Sequence, residues 1–184
     1  MNFELAEEHR MLKELVDHFV DDHLIPLEPK VLAREAAGEG YHLITEERES
    51  LNEYSQQLGL WGLDAPEDVG GVDLPAVALV GVNEAIGRSI VPYVLPPDSP
   101  NLRMLAATVT ESQRERYLAP YVRGEPISAI VISEPGAGSD PANMRTSAVR
   151  EGDEWVLNGR KVWITRADVA DFSIVMAVTD REKG

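Results

Sequence analysis

Hydrophobic positions in the first two-thirds of the chain recur at helical spacing. In the first segment these positions are Met11, Leu12, Leu15, Val16, Phe19 and Val20, and charged residues fill the opposite face. The pattern predicts an amphipathic helix that buries one side. Pro26 and Pro29 are expected to interrupt or kink it, because proline lacks the amide hydrogen that a helix interior needs.

Capping and helix-breaking residues delimit three further predicted helices. They cover residues 45–59 with Thr45 as N-cap, residues 75–87 opening at Pro75, and residues 110–124 with Thr110 and Gln113 as a capping box. Before the last of these lies "VPYVLPPDSPN" (91–101), which contains four prolines. This stretch is predicted to be extended or looped, because a residue that precedes proline avoids the helical region.

After Gly124 the hydrophobic period changes to two, which is typical of strands. The short runs are "ISAIVIS", "RTSAVR", "EWVLN", "RKVWIT" and "FSIVMAVT", and Asn158-Gly159 predicts a hairpin between the third and the fourth. We therefore predict an α+β protein, with an all-α helical domain over residues 1–124 and an incomplete antiparallel, barrel-like β-domain over residues 125–184. So short a sheet leaves an unpaired edge, and we expect the 184 residues to be a fragment.

The negative charge is concentrated in the first 140 residues. The chain has a formal net charge of −15, and residues 141–184 hold seven basic and seven acidic residues, which leaves the whole excess before them. Such a surface repels nucleic acids and anionic membranes. No apolar run approaches the roughly 20 residues of a membrane helix, so neither partner is expected. Any anionic ligand is better tolerated by the later part of the chain.

Cysteine is absent and the four histidines are scattered, so neither a disulfide nor a metal site is expected. The N-terminus carries acids rather than the basic and then apolar segments of a signal peptide. We therefore expect a cytoplasmic protein.

The glycine-rich stretch "SEPGAGSD" (133–140) directly follows a predicted strand. Its two glycines are two positions apart, no lysine follows until Lys161, and Pro141 stands where a dinucleotide fingerprint needs its third glycine. Both nucleotide-loop patterns therefore fail. Two readings of these residues stay open: a loop that brings backbone and the Ser139 hydroxyl against a ligand, or an ordinary turn.

A second candidate feature lies in "KVWIT" (161–165). If this run is a strand, Trp163 and Thr165 point to one face, and together they offer an aromatic surface and a hydroxyl to a flat heteroaromatic ring. The alternative is a core tryptophan beside a threonine that faces solvent. The run by itself does not decide between them.

Taken together, these residues resemble the acyl-CoA dehydrogenase family of flavoenzymes. The resemblance rests on "AIVISEPGAGSD" (129–140) and "WVLNGRKVWIT" (155–165), and it extends upstream to "LGLWGLDAPEDVGG", "EAIGR" and "SQRERYLAPYVRGE". One departure is Arg166-Ala167, which stands where the family commonly has Asn/Ser-Gly. The resemblance implies an FAD cofactor, and it implies that the family's C-terminal four-helix domain is absent from these residues.

The resemblance also implies roles for individual residues. Ile132 and Ser133 would lie near the pyrimidine edge of the flavin, and Ser139 at the FAD pyrophosphate and the pantetheine arm of acyl-CoA. Trp163 would pack against the isoalloxazine, and the Thr165 hydroxyl would bond its N5 edge. The implied cofactor-binding residues are Ile130, Ile132, Ser133, Gly138, Ser139, Trp163, Ile164 and Thr165, with Ser139 also contacting substrate.

The implied reaction is the α,β-dehydrogenation of an acyl-CoA thioester. Its glutamate base is expected beyond residue 184, so no catalytic residue is assigned here, Glu134 included, and the 184 residues alone are expected to be inactive. Implied partners are acyl-CoA, electron-transfer flavoprotein or a similar acceptor, and further copies of the full-length chain in a dimer or tetramer. Two alternatives stay open: a non-catalytic relative that binds acyl-CoA or docks on a partner subunit, and a flavin oxidase or monooxygenase.

Overall fold

The computed structural model describes residues 4–97 and 99–182. The chain divides into two compact units, Met1–Gly124 and Glu125–Gly184. The first is helical and the second contains the strands, so the predicted α+β class is confirmed. Met1–Phe3, which carry part of the argument against a signal peptide, lie outside the described residues.

Helices of the first unit follow one another closely along the chain. They are α1 (Glu7–Phe19), a π-helical stretch (Val20–Leu24), a 3₁₀ turn (Ile25–Leu27), α2 (Glu28–Ala36), α3 (Thr45–Gln57), a 3₁₀ turn (Glu67–Val69), α4 (Ala76–Ile86), α5 (Ser99–Thr108), α6 (Glu111–Gln113), a second π-helical stretch (Arg114–Leu118) and α7 (Ala119–Val122). The irregular hydrogen bonding between α1 and α2 includes Pro26 and ends just before Pro29, as the prolines predict.

Most predicted helix ends are confirmed, with one shift. The Thr110 backbone N–H donates to the Gln113 side chain, and Thr110 Oγ1 accepts from the Gln113 N–H, which completes the capping box. The helix that begins at Thr45 is capped by Ile44 rather than by Thr45, because the Ile44 N–H donates to the Glu47 carboxylate.

One helix is missing from the sequence prediction. Residues 91–97 lack regular structure, as the prolines predict, but α5 begins directly after them at Ser99. Pro100 falls in the first turn of α5, where a missing amide hydrogen costs nothing. The prolines of this stretch were therefore interpreted only as loop residues, although one of them lies at the start of a helix. Asp98 of the same stretch lies outside the described residues.

The core of the helical unit forms where α1 packs against α4. Val16, Phe19 and Val20 are at most 1% exposed, which confirms the predicted apolar face, whereas Met11 at its start is 65% exposed. At one edge of this packing Arg88 donates to Asp17 at 2.7 Å and also pairs with Asp21.

A buried polar network joins three parts of this unit. The Tyr93 hydroxyl lies 2.8 Å from Ser55 Oγ and 3.2 Å from the Leu51 carbonyl oxygen, and Trp61 Nε1 donates to Ser55 Oγ at 2.8 Å. Burial raises the pKa of Tyr93 to about 12, which the Ser55 hydroxyl offsets only in part, so the phenol remains a neutral donor. The network connects α3 to two irregular segments, the one before α4 that contains Trp61 and the one after α4 that contains Tyr93.

Strands of the second unit form two separate pairs. β1 (Ser128–Val131) pairs in parallel with β4 (Phe172–Val175), and β2 (Ser147–Glu151) pairs antiparallel with β3 (Glu154–Asn158). A parallel bridge between Ser147 and Val178 links the pairs, and the described strands form no closed barrel. Within the described residues, no helix combines the length and apolar character that a membrane crossing requires.

Two details of the predicted β-domain are corrected. The antiparallel arrangement holds for β2 and β3, but β1 and β4 are parallel, because the long connection over residues 132–171 lets the chain return in the same direction. The run "RKVWIT" is not a strand: residues 159–164 have no ladder partner, and Trp163 has a left-handed φ of +59°. The Asn158-Gly159 hairpin is therefore absent as well.

Replacing Tyr93 by Phe should lower the free energy of unfolding by about 1–3 kcal/mol, because it leaves buried groups of the network unpaired. Chemical denaturation followed by circular dichroism measures this loss. Tyr41→Phe, at a residue that is 46% exposed, is the matched control and should stay within about 0.5 kcal/mol of wild type. An equal stability for Tyr93→Phe and wild type would contradict the prediction.

Candidate functional site

The loop after β1 forms a tight turn. Glu134 and Ala137 exchange both backbone hydrogen bonds, at 2.9 and 3.2 Å, which closes a turn over Pro135 and Gly136. A β-carbon built on Gly136 or Gly138 would meet no atom within 4 Å. The outer side of the loop is therefore open, and a ligand can approach its backbone closely.

The Glu134 carboxylate points into the unit and anchors the loop there. Its oxygens accept from the backbone N–H groups of Arg145 at 2.7 Å and Thr146 at 2.8 Å, and Lys161 Nζ lies 3.0 Å from Oε1. Only 5% of the Glu134 side chain and 10% of the Lys161 side chain are exposed. The carboxylate therefore joins its own loop to the residues before β2 and to the segment after β3.

These neighbours stabilise the charged form of Glu134. The Thr146 hydroxyl, the backbone N–H groups of Arg145 and Thr146, and the Lys161 ammonium lower the pKa of Glu134 to about 2, although burial opposes the shift. Thr146 Oγ1 itself is buried without a hydrogen bond of normal geometry, so the donors that contact the carboxylate are the two amides and the ammonium.

The segment after β3 runs beside this loop. The Val162 N–H donates to the Ser133 carbonyl oxygen at 3.0 Å, and Lys161 Nζ donates to the Ile132 carbonyl oxygen at 2.8 Å. Directly beyond this junction the Trp163 side chain is 91% exposed. Trp163 and Arg166 both have a left-handed backbone conformation, and the φ of Arg166 is +64°.

All eight residues predicted to bind a cofactor retain exposed surface. Ile130, Ile132, Ser133 and Ile164 are partly exposed, and Gly138, Ser139, Trp163 and Thr165 are exposed. The hydrogen bonds that the Ile132 and Ser133 carbonyl oxygens accept from Lys161 Nζ and the Val162 N–H bring these two residues beside the segment that carries Trp163 and Thr165. Trp163 is not a core residue, which removes the alternative reading of "KVWIT".

Comparison with known proteins assigns both units to one family. Residues 6–125 match the family profile "Acyl-CoA dehydrogenase, N-terminal domain", and residues 129–184 match "Acyl-CoA dehydrogenase, middle domain". The chain belongs to the acyl-CoA dehydrogenase family. The resemblance stated from the sequence motifs is thereby confirmed.

Individual relatives agree with this assignment. The chain is 40% identical over 191 aligned residues to (R)-benzylsuccinyl-CoA dehydrogenase of Thauera aromatica, covering 99% of this chain and 47% of the relative. It is 33% identical to 3-(aryl)acrylate reductase of Clostridium sporogenes, covering 97% and 46%. The solved structure of a putative acyl-CoA dehydrogenase from Mycobacterium abscessus superposes with a TM-score of 0.84 at 33% identity, over 96% of this chain and 47% of that one. The chain thus spans about half the length of these relatives.

Three residues help to build this acyl-CoA dehydrogenase unit in ways that the sequence patterns did not predict. Lys161 pairs with Glu134, Thr146 supplies an amide, and Gly159 lies so close to Thr146 that a built β-carbon would fall 2.6 Å from the Thr146 Cα. Glu134 and Lys161 both lie inside the two family motifs, residues 129–140 and 155–165, and this position is the one sequence signal that could have indicated a role for them. No local pattern indicates that residues 27 positions apart form a pair.

Lowering the pH should remove the stabilisation that Glu134 provides. Its pKa is lowered from an ordinary 4.5 to about 2, so the stabilisation is complete above about pH 4.5 and is lost as the pH falls towards about 2. The melting temperature of Glu134→Gln should therefore lie below that of wild type at neutral pH, and the two should converge in acid. Gly136→Ala, which alters the same loop without altering a charge, should follow wild type throughout. If the melting temperature of Glu134→Gln stays below that of wild type by a constant amount down to about pH 2.5, the lowered pKa of Glu134 is not the source of the stabilisation.

Introducing a methyl group at Gly159 should destabilise the β-containing unit by about 1–3 kcal/mol, because Thr146 must move to make room. Denaturant unfolding followed by near-ultraviolet circular dichroism measures the loss. Gly136→Ala is the matched control, since its added carbon enters open space. If both variants unfold together with wild type, the close approach of Gly159 and Thr146 has no energetic role.

Proposed function

We propose that this chain supplies part of the FAD site of an acyl-CoA dehydrogenase whose complete form catalyses the α,β-dehydrogenation of an acyl-CoA thioester. The observation that carries the proposal is the junction between residues 132–134 and residues 161–162, beside which the motif residues of the family remain exposed. Two ligand-facing segments are thus adjacent, and neither is covered by its own unit.

The residues present fit a flavin. Trp163 offers a nearly free aromatic surface, Ser133, Ser139 and Thr165 offer hydroxyl groups, and Gly138 leaves its backbone open to close approach. On this proposal the Trp163 indole would pack against the isoalloxazine and the Thr165 hydroxyl would bond its N5 edge. Ser139 would hold the FAD pyrophosphate and the pantetheine arm of the substrate, directly before the charge-balanced residues 141–184.

When bound, FAD would act as the acceptor of the hydride that leaves the β-carbon of the substrate. The residues of this chain orient and bind, and they do not remove the α-proton. Glu134 is unsuited to that step, because its carboxylate is already held by two amides and an ammonium and its pKa is about 2. A glutamate base beyond residue 184 remains part of the proposal.

Further features of the whole protein stay predictions. They are an electron-transfer flavoprotein or similar acceptor, a dimer or tetramer of full-length chains, a cytoplasmic location, and an inactive isolated 184-residue chain. By their names, two of the relatives act on benzyl- or aryl-substituted substrates, so we include such substrates in the proposed class.

Full-length protein should be purified yellow, with one FAD per chain, and should bleach anaerobically on addition of one member of an acyl-CoA panel. The panel should hold short linear, branched and benzyl- or aryl-substituted thioesters. Thr165→Val should slow the bleaching about 10²-fold, the typical cost of removing one preorganised donor, and the exposed Thr179→Val should not.

Each remaining outcome of this experiment excludes one candidate. A colourless protein that reconstitutes no flavin would contradict the dehydrogenase proposal and favour a non-catalytic module. A yellow protein that is reduced only by other donors, and that reacts rapidly with oxygen, would favour an oxidase or monooxygenase.

A further inference from the structure

The ion pair formed by Glu134 and Lys161 is almost completely buried in the β-containing unit. The two side chains are 5% and 10% exposed, and their nitrogen–oxygen distance is 3.0 Å. In contrast, Arg150 and Asp153 of the same unit lie 4.0 Å apart and are 65% and 107% exposed. A pair removed from water so completely is held strongly in place, because separating the charges leaves each one buried.

The two partners of this pair are held unequally. Glu134 has independent anchors in the Arg145 and Thr146 amides and in its own turn with Ala137. Lys161 bonds the Glu134 carboxylate and the Ile132 carbonyl oxygen, both on the neighbouring loop, and its ammonium makes one weaker contact with the Met144 sulfur at 4.0 Å. The carboxylate is therefore the fixed partner, and Lys161 is the side chain through which the second segment is attached to it.

This attachment lies next to the exposed end of the segment. Val162 continues it with one backbone hydrogen bond to Ser133. The following residue, Trp163, has a left-handed φ of +59° and is 91% exposed, so packing within the unit contributes almost nothing to the direction of its ring. The backbone at and before Trp163 therefore sets the direction in which its side chain leaves the chain. A non-glycine residue keeps such a conformation only when its surroundings impose it.

We propose that the Glu134–Lys161 ion pair is a positioning device that locks residues 161–165 against residues 132–134 and thereby orients Trp163 and Thr165 toward the ligand. The identity of that ligand as a flavin rests on the proposed function, whereas the locking itself concerns this chain alone. Neither residue of the pair contacts the reacting atoms; both act through the backbone of their neighbours.

The first test needs no flavin and uses Lys161→Met, which removes the ammonium and keeps an aliphatic side chain. Hydrogen exchange of the Val162 amide should become faster on the order of tenfold, because one anchor of its hydrogen bond is lost. The Ala148 amide, which bonds the Val178 carbonyl oxygen, should exchange as in wild type. In fluorotryptophan-labelled protein the Trp163 resonance should shift or broaden, while that of Trp155 on β3 should not.

Two variants control for charge and for folding. Lys161→Arg keeps a cation and should restore the Val162 exchange rate to within about threefold of wild type. Lys13→Met breaks an ion pair with Asp17 in the helical unit, in which both side chains are 28% exposed, and should leave Val162 and Trp163 unchanged. If Lys161→Met accelerates exchange at Ala148 as much as at Val162, the pair supports the whole unit and the positioning role is wrong. An unchanged Val162 rate together with an unchanged Trp163 resonance also overturns it.

The second test uses full-length flavoprotein. Lys161→Met should retain FAD but change the visible flavin spectrum and shift the flavin reduction potential, since Trp163 and Thr165 no longer hold their orientation. A flavin spectrum identical to wild type in a flavin-loaded variant contradicts the proposal. If wild-type protein binds no flavin, the proposed function fails, and the hydrogen-exchange result alone then decides whether the pair positions the segment.

Discussion

Burial of the Glu134 carboxylate inside the β-containing unit is the constraint on which the arrangement of its loops depends. A carboxylate removed from water must be surrounded by donors, and here the donors come from two other stretches of the chain, residues 145–146 and Lys161. The backbone carbonyl oxygen of Thr146 in turn accepts from the Val178 N–H. This hydrogen bond links the same residues to the chain that follows β4. One side chain thus sets the mutual positions of segments that share no continuous strand ladder.

The same arrangement separates support from recognition. The inward side of residues 132–137 carries charge pairing and backbone hydrogen bonds, and the outward residues remain exposed. A binding site on loops needs such support, because loops lack the regular hydrogen bonding that fixes helices and strands. The proposed flavin contacts lie on this loop, directly beside it, and on the neighbouring residues 163–165, and all of them retain exposed surface.

In the helical unit the corresponding support is a neutral network. Tyr93, Ser55 and Trp61 satisfy one another's polar groups inside the apolar core formed by α1 and α4. Because the pKa of Tyr93 is about 12, this network carries no charge near neutral pH. The two units therefore stabilise their irregular segments by different means, the helical unit by an uncharged network and the β-containing unit by a buried ion pair.

Prediction succeeded where the signal is local and failed where it is not. Helix positions followed from apolar spacing and from caps such as Thr110, and the runs that form β2 and β3 followed from their alternating residues. The segment around Trp163 was predicted as a strand because its composition is strand-like, but a strand requires a partner ladder that the sequence does not show. The helix α5 was missed because prolines mark helix starts as well as loops.

The sequence by itself therefore determined the class of the fold, most of the helices, and the family through two motifs at a characteristic separation. Only the tertiary structure decided that β1 and β4 run parallel, that Trp163 stands in solvent on a left-handed backbone, and that Glu134 pairs with Lys161. The physical reason is the range of the interactions. Helical periodicity and capping act within a few residues, whereas the satisfaction of a buried charge depends on groups that meet only after the chain has folded.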